Sequence, residues 1–383
     1  MISNPLTVFF VLAGIVFVAL QLEARYKLFR SLGAALVGIL LGMLLSNLNV
    51  LPGASEAYAF LVGPGVSAGI VLILLSVDLT SIRKAGPVML KAFALGAVGT
   101  ALGAMIMGFL LSSSIGPETW KLAGQYAGTY TGGGLNFAAV GQAVGTSSDL
   151  FTAGIAADVI VTALWLSVCL AAPLFLGGGK NEQPQAPETE NSELGEQPFT
   201  LERLLYISKN QIPIVHVAAF AALVLGCLWL ADVLATNFSF LPKILWLTTV
   251  TLLVAQLPAI KRLSGGAMLG NYLILLFLAS NGAQSVVANI VKMGPSVFYF
   301  AFGVVTIHGI FLFGVGRLLR IDASVLVVAS QANVGGPASA MAIASARRYS
   351  DSLLPGVAVG LLGYAAGNYL GLAVASLMQN ALG

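Results

Sequence analysis

The chain has 383 residues, of which 58% are hydrophobic and 9% are charged. Soluble domains carry about 25% charged residues, and no soluble fold could bury this much apolar surface in one core. The composition therefore excludes a soluble domain and predicts an all-α integral membrane protein that contacts the lipid bilayer. The net charge of +3 comes from basic loop residues, which report membrane orientation rather than nucleic-acid binding.

Charged residues are segregated into short clusters between long apolar runs. Three such runs, Leu122–Ser148, Leu263–Val291 and Ala323–Ala346, contain no Asp, Glu, Lys or Arg. Each could cross a hydrocarbon core, which requires about 20 helical residues. In chain order the sequence predicts apolar membrane segments at roughly 6–22, 31–48, 58–77, 87–112, 120–146, 150–176, 211–231, 241–259, 267–290, 295–316, 323–346 and 353–380.

One stretch differs in composition from the membrane segments. Residues 177–209 are rich in Pro, Glu, Gln and Asn and have few large apolar side chains. This composition predicts a disordered hydrophilic linker. It separates a first membrane repeat at 1–176 from a second at 210–383, with the same number of apolar segments in each.

The two halves resemble each other in three places. The tetrapeptide LILL at Leu72–Leu75 recurs at Leu273–Leu276, in the third segment of each half. Each fifth segment carries a glycine-rich polar motif, and the sixth segments place Asp158 and Asn368 near their middles. Three matches in the same order favour an internal duplication.

Basic loop residues indicate how the halves are oriented. If the fifth segment of each half returns to the side from which it enters, the later basic residues all fall on the cytoplasmic side, as the positive-inside rule requires. The halves then have inverted topology, with five spans and one broken or re-entrant helix each. The predicted location is a bacterial inner membrane, with both termini outside and the linker cytoplasmic. The residues that fix this choice are Lys180, Arg203, Lys209, Lys261, Arg262, Arg317, Arg320, Arg347 and Arg348.

The glycine-rich motifs are QYAGTYTGGGLN from Gln125 and SQANVGGPAS from Ser330. Glycine costs about 1 kcal/mol and proline about 3 kcal/mol in a helix interior, so both motifs are expected to break their helices. Transporters place such breaks at midplane sites, where half-helix termini face the solute. Close helix packing is the alternative, because small residues let helix backbones approach. The predicted substrate-binding residues are Thr129, Thr131, Gly132, Gly133, Gly134, Asn136, Asn333, Gly335, Gly336 and Ser339.

Asp158 is the only carboxylate deep within an apolar run. A charge near the bilayer centre costs at least about 2.5–3.5 kcal/mol, so its presence indicates function. It could bind Na⁺ or carry a proton; the alternative is a structural hydrogen bond to a helix break. His308 lies in the tenth segment, and packing is favoured over a proton relay. The predicted ion- or proton-coupling residues are Asp158, Thr162, Asn281, Gln331 and Asn368.

Three runs carry a resemblance to a known family. They are GTYTGGGLNFAAVGQAVG from Gly128, AADVIVTALWL from Ala156 and SQANVGGPASAMAIA from Ser330. The chain resembles the YjcL-like family of membrane proteins with a domain of unknown function, and this family looks related to the bile acid:sodium, glutamate:sodium and 2-hydroxycarboxylate transporters. The resemblance implies inverted repeats, a scaffold domain, a core domain with crossing broken helices, and elevator-like motion.

The sequence thus predicts a secondary transporter of a small solute, coupled to Na⁺ or H⁺. We expect the solute to be an organic anion, because the positive ends of helix dipoles would face it. We expect the protein to form a homodimer. No nucleophile–base, zinc-protease or ATP-binding motif occurs, so we expect neither an enzyme nor a cofactor, apart from bound Na⁺. Two alternatives stay open: a cation/proton exchanger without an organic substrate, and a structural membrane subunit.

Overall fold

The protein is described by a computed structural model that covers residue 2 and residues 4–176, 212–238 and 240–382. These residues form helices joined by short turns, and no strand occurs among them. The hydrophilic linker predicted at 177–209 lies outside the described residues.

The first half contains eight helices. Helix α3 includes a π-helical turn at Leu61–Gly65 around Pro64, and a 3₁₀ helix follows it at Leu79–Lys84. The helices are α1 (Pro5–Arg25), α2 (Lys27–Asn47), α3 (Glu56–Leu74), α4 (Gly86–Ile115), α5 (Thr119–Gly132), α6 (Gly134–Val144), α7 (Ser148–Ala171) and α8 (Pro173–Leu176).

The described part of the second half also contains eight helices. The helices are α9 (Ile214–Asn237), α10 (Lys243–Ala255), α11 (Pro258–Lys261), α12 (Gly266–Gln284), α13 (Val287–Leu318), α14 (Ala323–Val334), α15 (Gly336–Ala346) and α16 (Ser350–Leu382).

Among the described residues, eight helices are long and apolar enough to cross a membrane: α1, α3, α4, α7, α9, α12, α13 and α16. Each half contributes four of them. The predicted all-α, multi-pass membrane fold is confirmed.

The second segment of each half is shorter than the sequence predicts. Helix α2 bends at Gly33, which has a φ of 76°, and its apolar part is Leu32–Asn47. Helix α10 has 13 residues and stops shortly before Pro258, which begins α11 and could not continue a helix. By helix length, each half therefore has four full-length spans among the described residues, and its second apolar segment is shorter.

The helices pack in two groups. Helices α1, α2, α3, α9, α10 and α12 form one group, in which α2 and α3 pack along α12. The other group comprises α4–α7 and α13–α16, in which α4 packs along α13 and α5 along α16. Contacts of α7 with α2 and α12, and of α16 with α10, join the groups.

Glycines bring α5 and α16 to backbone distance. A methyl group on Gly124 would lie 2.7 Å from the carbonyl oxygen of Gly371, and one on Gly367 would lie 2.7 Å from that of Gly128. A methyl group on Gly132 would overlap the carbonyl of Gly363. These small residues serve close helix packing, so the packing interpretation holds for this face of α5.

Helices α5 and α6 form a hairpin, hereafter hairpin 1, whose two ends lie side by side. Lys121 Nζ donates to the Gly145 carbonyl (2.8 Å), and the Ser147 hydroxyl donates to Glu118 Oε2 (2.6 Å). Further along, Gln125 Nε2 donates to the Phe137 carbonyl at 3.2 Å. The second arm therefore returns to the level at which the first began.

Replacing Glu118 with Gln is expected to loosen the base of hairpin 1. Burial raises the pKa of Glu118, but hydrogen bonds from Lys121 and Ser147 lower it more, so its pKa lies below the ordinary 4.5. The ion pair therefore stabilises the fold above that ordinary value, and this contribution is lost as the pH falls through the lowered pKa. Thermal unfolding should give a lower Tm for the variant at pH 7 and a smaller difference at pH 4. An equal difference at both pH values would contradict this assignment.

Helices α14 and α15 form hairpin 2. Its two arms lie against the same turn of α16, because a methyl group on Gly356 would overlap Val328 Cγ1 of α14 and lie 3.4 Å from Ala340 Cβ of α15. Val328 and Ala340 lie on opposite sides of the break at Gly335. The second hairpin is thus also folded back on itself.

Candidate functional site

Contacts with the long helix α16 show that the two hairpins enter the bundle from opposite ends. Its first half follows hairpin 2, with Gly360 against Pro337. Its second half follows hairpin 1, with Gly371 against Gly124 near the start of α5. Helix α7 runs the other way: Gly154 accepts a hydrogen bond from Tyr126 of hairpin 1 (3.1 Å) before the α7 helix reaches hairpin 2.

The two helix breaks meet where the hairpins end. Gly133 caps α5 with a φ of 93°, and Gly336 has a φ of 74°. A methyl group on Gly133 would lie 3.5 Å from the Gly336 nitrogen, and one on Gly336 would lie 3.3 Å from the Gly132 carbonyl oxygen. We call this contact of Gly132–Gly133 with Gly335–Gly336 the crossing. Helices α6 and α15 both begin there.

Asp158 lies beside the crossing on α7. A methyl group on Gly134, at the start of α6, would lie 4.0 Å from Asp158 Oδ2. The Thr162 hydroxyl donates to Asp158 Oδ1 at 3.3 Å. Tyr130 of α5 packs on the same side, because its ring stacks on Tyr126, whose hydroxyl bonds the Gly154 carbonyl one turn before Asp158. Asp158 and Thr162 are half-buried, whereas Gly134 is exposed, so the carboxylate remains accessible from one side.

Several buried polar atoms near the hairpin ends have no hydrogen-bond partner in the protein. Gln331 is fully buried, and neither atom of its amide is bonded. It lies next to the crossing, because a methyl group on Gly335 would be 3.5 Å from Gln331 Oε1. A buried unpaired polar group costs about 1–3 kcal/mol, so these atoms favour a polar ligand or a rearrangement. The others at or near the hairpin ends are Thr129 Oγ1, Tyr130 OH and Asn136 Oδ1.

Other predicted binding residues are engaged by the protein itself. The Thr131 hydroxyl donates to the Ala127 carbonyl (2.7 Å), and Asn136 Nδ2 donates to the Gly363 carbonyl (3.0 Å). Asn333 is fully buried against α4, where its amide faces the carbonyls of Phe93 and Ala329. Thr131 and Asn333 therefore shape the hairpins, whereas Asn136 keeps an unpaired Oδ1. Ser339 and Gly335, by contrast, are half-buried beside the break.

Two predicted coupling residues lie away from the crossing. Asn281 is on α12, and its amide donates to the Phe277 carbonyl of its own helix (3.1 Å). Asn368 donates to Thr248 of α10 (3.1 Å). Asp158 stands ten residues into α7 and Asn368 eighteen residues into α16, counted from Ser148 and Ser350. Both therefore lie near the middles of their helices, and Asn368 is further from the start of its helix than Asp158 is.

A hydrogen-bond chain links the two hairpins through α4 and α13, and nothing in the sequence indicated that Thr100 or Trp165 belongs to it. Thr100 donates to the Tyr130 carbonyl (2.8 Å) and contacts His308 Nδ1 (3.0 Å). His308 Nε2 bonds the Ser330 hydroxyl (3.0 Å), which also accepts from Trp165 Nε1 (2.9 Å). Because the Gly96 carbonyl can only accept (2.9 Å), Nδ1 carries the proton in the neutral ring.

Tyr130 and Tyr364 were not singled out from the sequence, although both border the crossing. A methyl group on Gly336 would lie 3.8 Å from the Tyr364 hydroxyl. Aromatic residues in an apolar run usually indicate a packed core. Only the folded arrangement shows that these hydroxyls lie near the helix breaks. Within the described residues, no group of three or more His, Cys, Asp or Glu side chains could hold a metal ion.

Comparison with known proteins agrees with the membrane assignment. A family described as "Protein of unknown function (DUF819)" matches residues 7–381. The chain is also 29% identical over 365 residues to the "Uncharacterized membrane protein YjcL" of Bacillus subtilis (strain 168), with 92% of each chain covered. The match includes both hairpins, the crossing and Asp158. The chain therefore belongs to the DUF819 family of membrane proteins.

Proposed function

We propose that the protein is an ion-coupled secondary transporter of a small polar solute, with the crossing as its binding site. The observation that carries this proposal is the contact of two helix breaks beside one half-buried carboxylate, in a bundle whose helices are otherwise apolar. A structural subunit has no need of helix breaks that bring unpaired polar atoms together. We also propose transport rather than catalysis, because the sequence contains no nucleophile–base, zinc-protease or ATP-binding motif.

An organic anion suits the helix termini at the crossing. Helices α6 and α15 begin there, and the positive ends of their dipoles favour a negatively charged group. Asp158 opposes such a solute, because two like charges repel strongly away from water. A cation on Asp158 removes that repulsion, so ion binding and solute binding become coupled. The Thr162 and Tyr130 hydroxyls supply further oxygen atoms beside the carboxylate, which suits Na⁺ or H⁺.

Inverted repeats in the inner membrane complete the proposal. The two hairpins follow opposite halves of α16, as inverted halves require. Basic residues flank the end of the bundle where α16 begins, so the positive-inside rule would make that end cytoplasmic and place both chain termini outside. These residues are Arg317, Arg320, Arg347, Arg348, and Arg83 and Lys84, which precede α4.

An elevator motion fits the two packing groups. The group formed by α4–α7 and α13–α16 contains the crossing and would act as the moving core, while α1–α3, α9, α10 and α12 would form the scaffold of a homodimer. Side-chain hydrogen bonds join the groups at several points, among them Gln142 Nε2 of α6 donating to the Gly63 carbonyl of α3 (3.0 Å) and Asn368 of α16 donating to Thr248 of α10 (3.1 Å). Such contacts can be exchanged without unfolding either group.

Flux measurements in proteoliposomes test the proposal against its alternative, a cation/proton exchanger. Purified protein is first screened by thermal unfolding against carboxylates with Na⁺ or choline, because a ligand that binds the folded state raises its Tm. A stabilising carboxylate is then supplied in radiolabelled form. Accumulation driven by a Na⁺ or proton gradient supports the transporter. Cation-for-proton exchange without solute uptake favours the exchanger.

Cysteine labelling tests the orientation. The chain has two cysteines, both buried, so they are replaced by alanine before single cysteines are introduced at Arg262 and Arg348. We expect a membrane-impermeant maleimide to label both only after the cells are opened. A cysteine at Asn237, the last residue of α9, would lie on the opposite side of the membrane and should be labelled in intact cells. The reverse pattern would refute the inverted topology.

A further inference from the structure

The Asp158 carboxylate has too few permanent partners for a charge inside a membrane. One hydrogen bond, from Thr162 at 3.3 Å, is formed. Tyr130 stands one turn after Tyr126, whose ring it stacks on and whose hydroxyl bonds the Gly154 carbonyl, one turn before Asp158 on α7. This register places the Tyr130 phenol next to Asp158, yet its hydroxyl is buried and has no formed hydrogen bond. If the proposed ion-coupled cycle is correct, Asp158 must also exist without its cation. A second donor is then needed, because an ion-free carboxylate in a membrane is costly.

Tyr130 is fixed in place from two directions. Its ring stacks on that of Tyr126, with centroids 5.4 Å apart and planes 3° apart. Tyr126 is itself bonded to the Gly154 carbonyl of α7. The Tyr130 carbonyl accepts the hydroxyl of Thr100, which contacts His308. The stacked ring and the bonded backbone carbonyl therefore hold Tyr130 beside α7, so that only its hydroxyl needs to reorient when Asp158 gains or loses a cation.

No other charged side chain competes for this position among the described residues. The helices packed against α7 that reach the crossing, α6, α14 and α15, contain no Asp, Glu, Lys, Arg or His. Helix α12 carries only Tyr272 as a titratable residue, and α2 has basic residues only near its start. On α5, Lys121 bonds Glu118 at the base of the hairpin. On α13, His308 bonds Gly96 and Ser330 rather than Asp158, Lys292 and Arg317 lie near the two ends of the helix, and Tyr299 is exposed.

We propose that Tyr130 is a positioning residue whose phenol competes with the coupling cation for Asp158. The phenol donates to the carboxylate when the cation has left and releases it when the cation binds. Tyr130 thereby stabilises the ion-free carrier and sets how tightly the cation is held. This inference rests on the proposed ion coupling, but it concerns a residue outside the predicted site.

Removing the phenol should tighten cation binding. Hydrogen bonds to charged groups are worth about tenfold or more in an equilibrium constant, and Tyr130→Phe loses this bond only in the ion-free state. We therefore expect the midpoint of stabilisation by Na⁺ to fall roughly tenfold, or the midpoint of stabilisation by protons to rise by about one pH unit. A residue with a purely structural role would lower Tm equally with and without the cation.

The experiment measures Tm of the purified full-length protein in detergent, with no organic solute. One series varies NaCl against choline chloride at constant ionic strength, and the other varies pH in choline buffers. Wild type, Tyr130→Phe, Asp158→Asn and the double variant form a cycle that isolates the Asp158–Tyr130 interaction. Tyr126→Phe is the matched control, because it removes a neighbouring phenol that bonds the Gly154 carbonyl.

A shifted midpoint in Tyr130→Phe but not in Tyr126→Phe, and lost in both Asp158→Asn backgrounds, supports the proposal. An unchanged midpoint in Tyr130→Phe overturns it. If Tyr130→Phe does not fold, Thr100→Val, which frees the Tyr130 carbonyl, should shift the midpoint in the same direction, and no shift there also overturns the proposal. A wild type that responds to neither cation refutes the proposed ion coupling itself, which is a separate result.

Discussion

Asp158→Asn is expected to abolish ion-driven solute accumulation while the protein folds normally. The amide has the shape of the carboxylate but cannot carry a proton and binds Na⁺ poorly. Removing a charge that costs at least about 2.5–3.5 kcal/mol in a membrane should not destabilise the fold. Uptake into proteoliposomes under an imposed gradient should fall to the level of empty liposomes, with an unchanged elution profile in size-exclusion chromatography.

Asp149→Asn is the matched control for this prediction. Asp149 also lies on α7, but at its start, where it accepts hydrogen bonds from the Val286 N–H and the Asn289 amide (both 2.6 Å). We expect gradient-driven uptake to persist in that variant. Normal ion-dependent uptake by Asp158→Asn would refute the coupling role of Asp158.

Gly132→Ala is expected to destabilise the native bundle. The added methyl group would overlap the carbonyl of Gly363, which is backbone and cannot rotate away. The α5 and α16 helices would have to separate at the crossing. Overpacking of this kind costs about 1–3 kcal/mol or more. We expect Tm to fall by roughly 5 °C or more, or the protein to elute as aggregate.

The neighbouring Gly133 and the distant Gly226 separate packing from function. A methyl group on Gly133 would meet nothing closer than 3.5 Å, although the φ of 93° strains any other residue. Gly133→Ala should therefore fold better than Gly132→Ala and still impair transport. Gly226 of α9 has open space around it, so Gly226→Ala should leave Tm unchanged or raised. Equal loss of Tm in all three variants would contradict the packing argument.

The sequence predicted the helix breaks because glycine and proline are costly within membrane helices. It left open whether the broken segments span the membrane or fold back, since composition is the same in both cases. Contacts between the ends of a segment decide that question, and Lys121 with Gly145 is such a contact. The interpretation of Gly132 also depends on its neighbour, Gly363, which is far away in the sequence.

The position of Asn368 could be predicted from the sequence only approximately. It was paired with Asp158 because both lie near the middle of a sixth segment, but the helix starts at Ser148 and Ser350 place Asn368 two turns further along. Tyr130 was missed for a related reason. Its role depends on stacking with Tyr126, on the bond from Thr100 and on the position of Asp158. These three residues lie on different helices, and no periodicity in the sequence predicts that they meet.

The single carboxylate at the crossing has an electrical consequence. Gly360 of α16, which lies against Pro337 at the crossing, carries no side chain, and in the described part of the chain Asp158 is the only charged residue found beside the crossing. If the core moves across the membrane with Asp158 ion-free, that charge moves through the membrane potential, which acts with about 2.3 kcal/mol per charge per 100 mV. Return of the empty carrier would then depend on voltage, whereas movement of the carrier with a cation on Asp158 and a neutral solute would not.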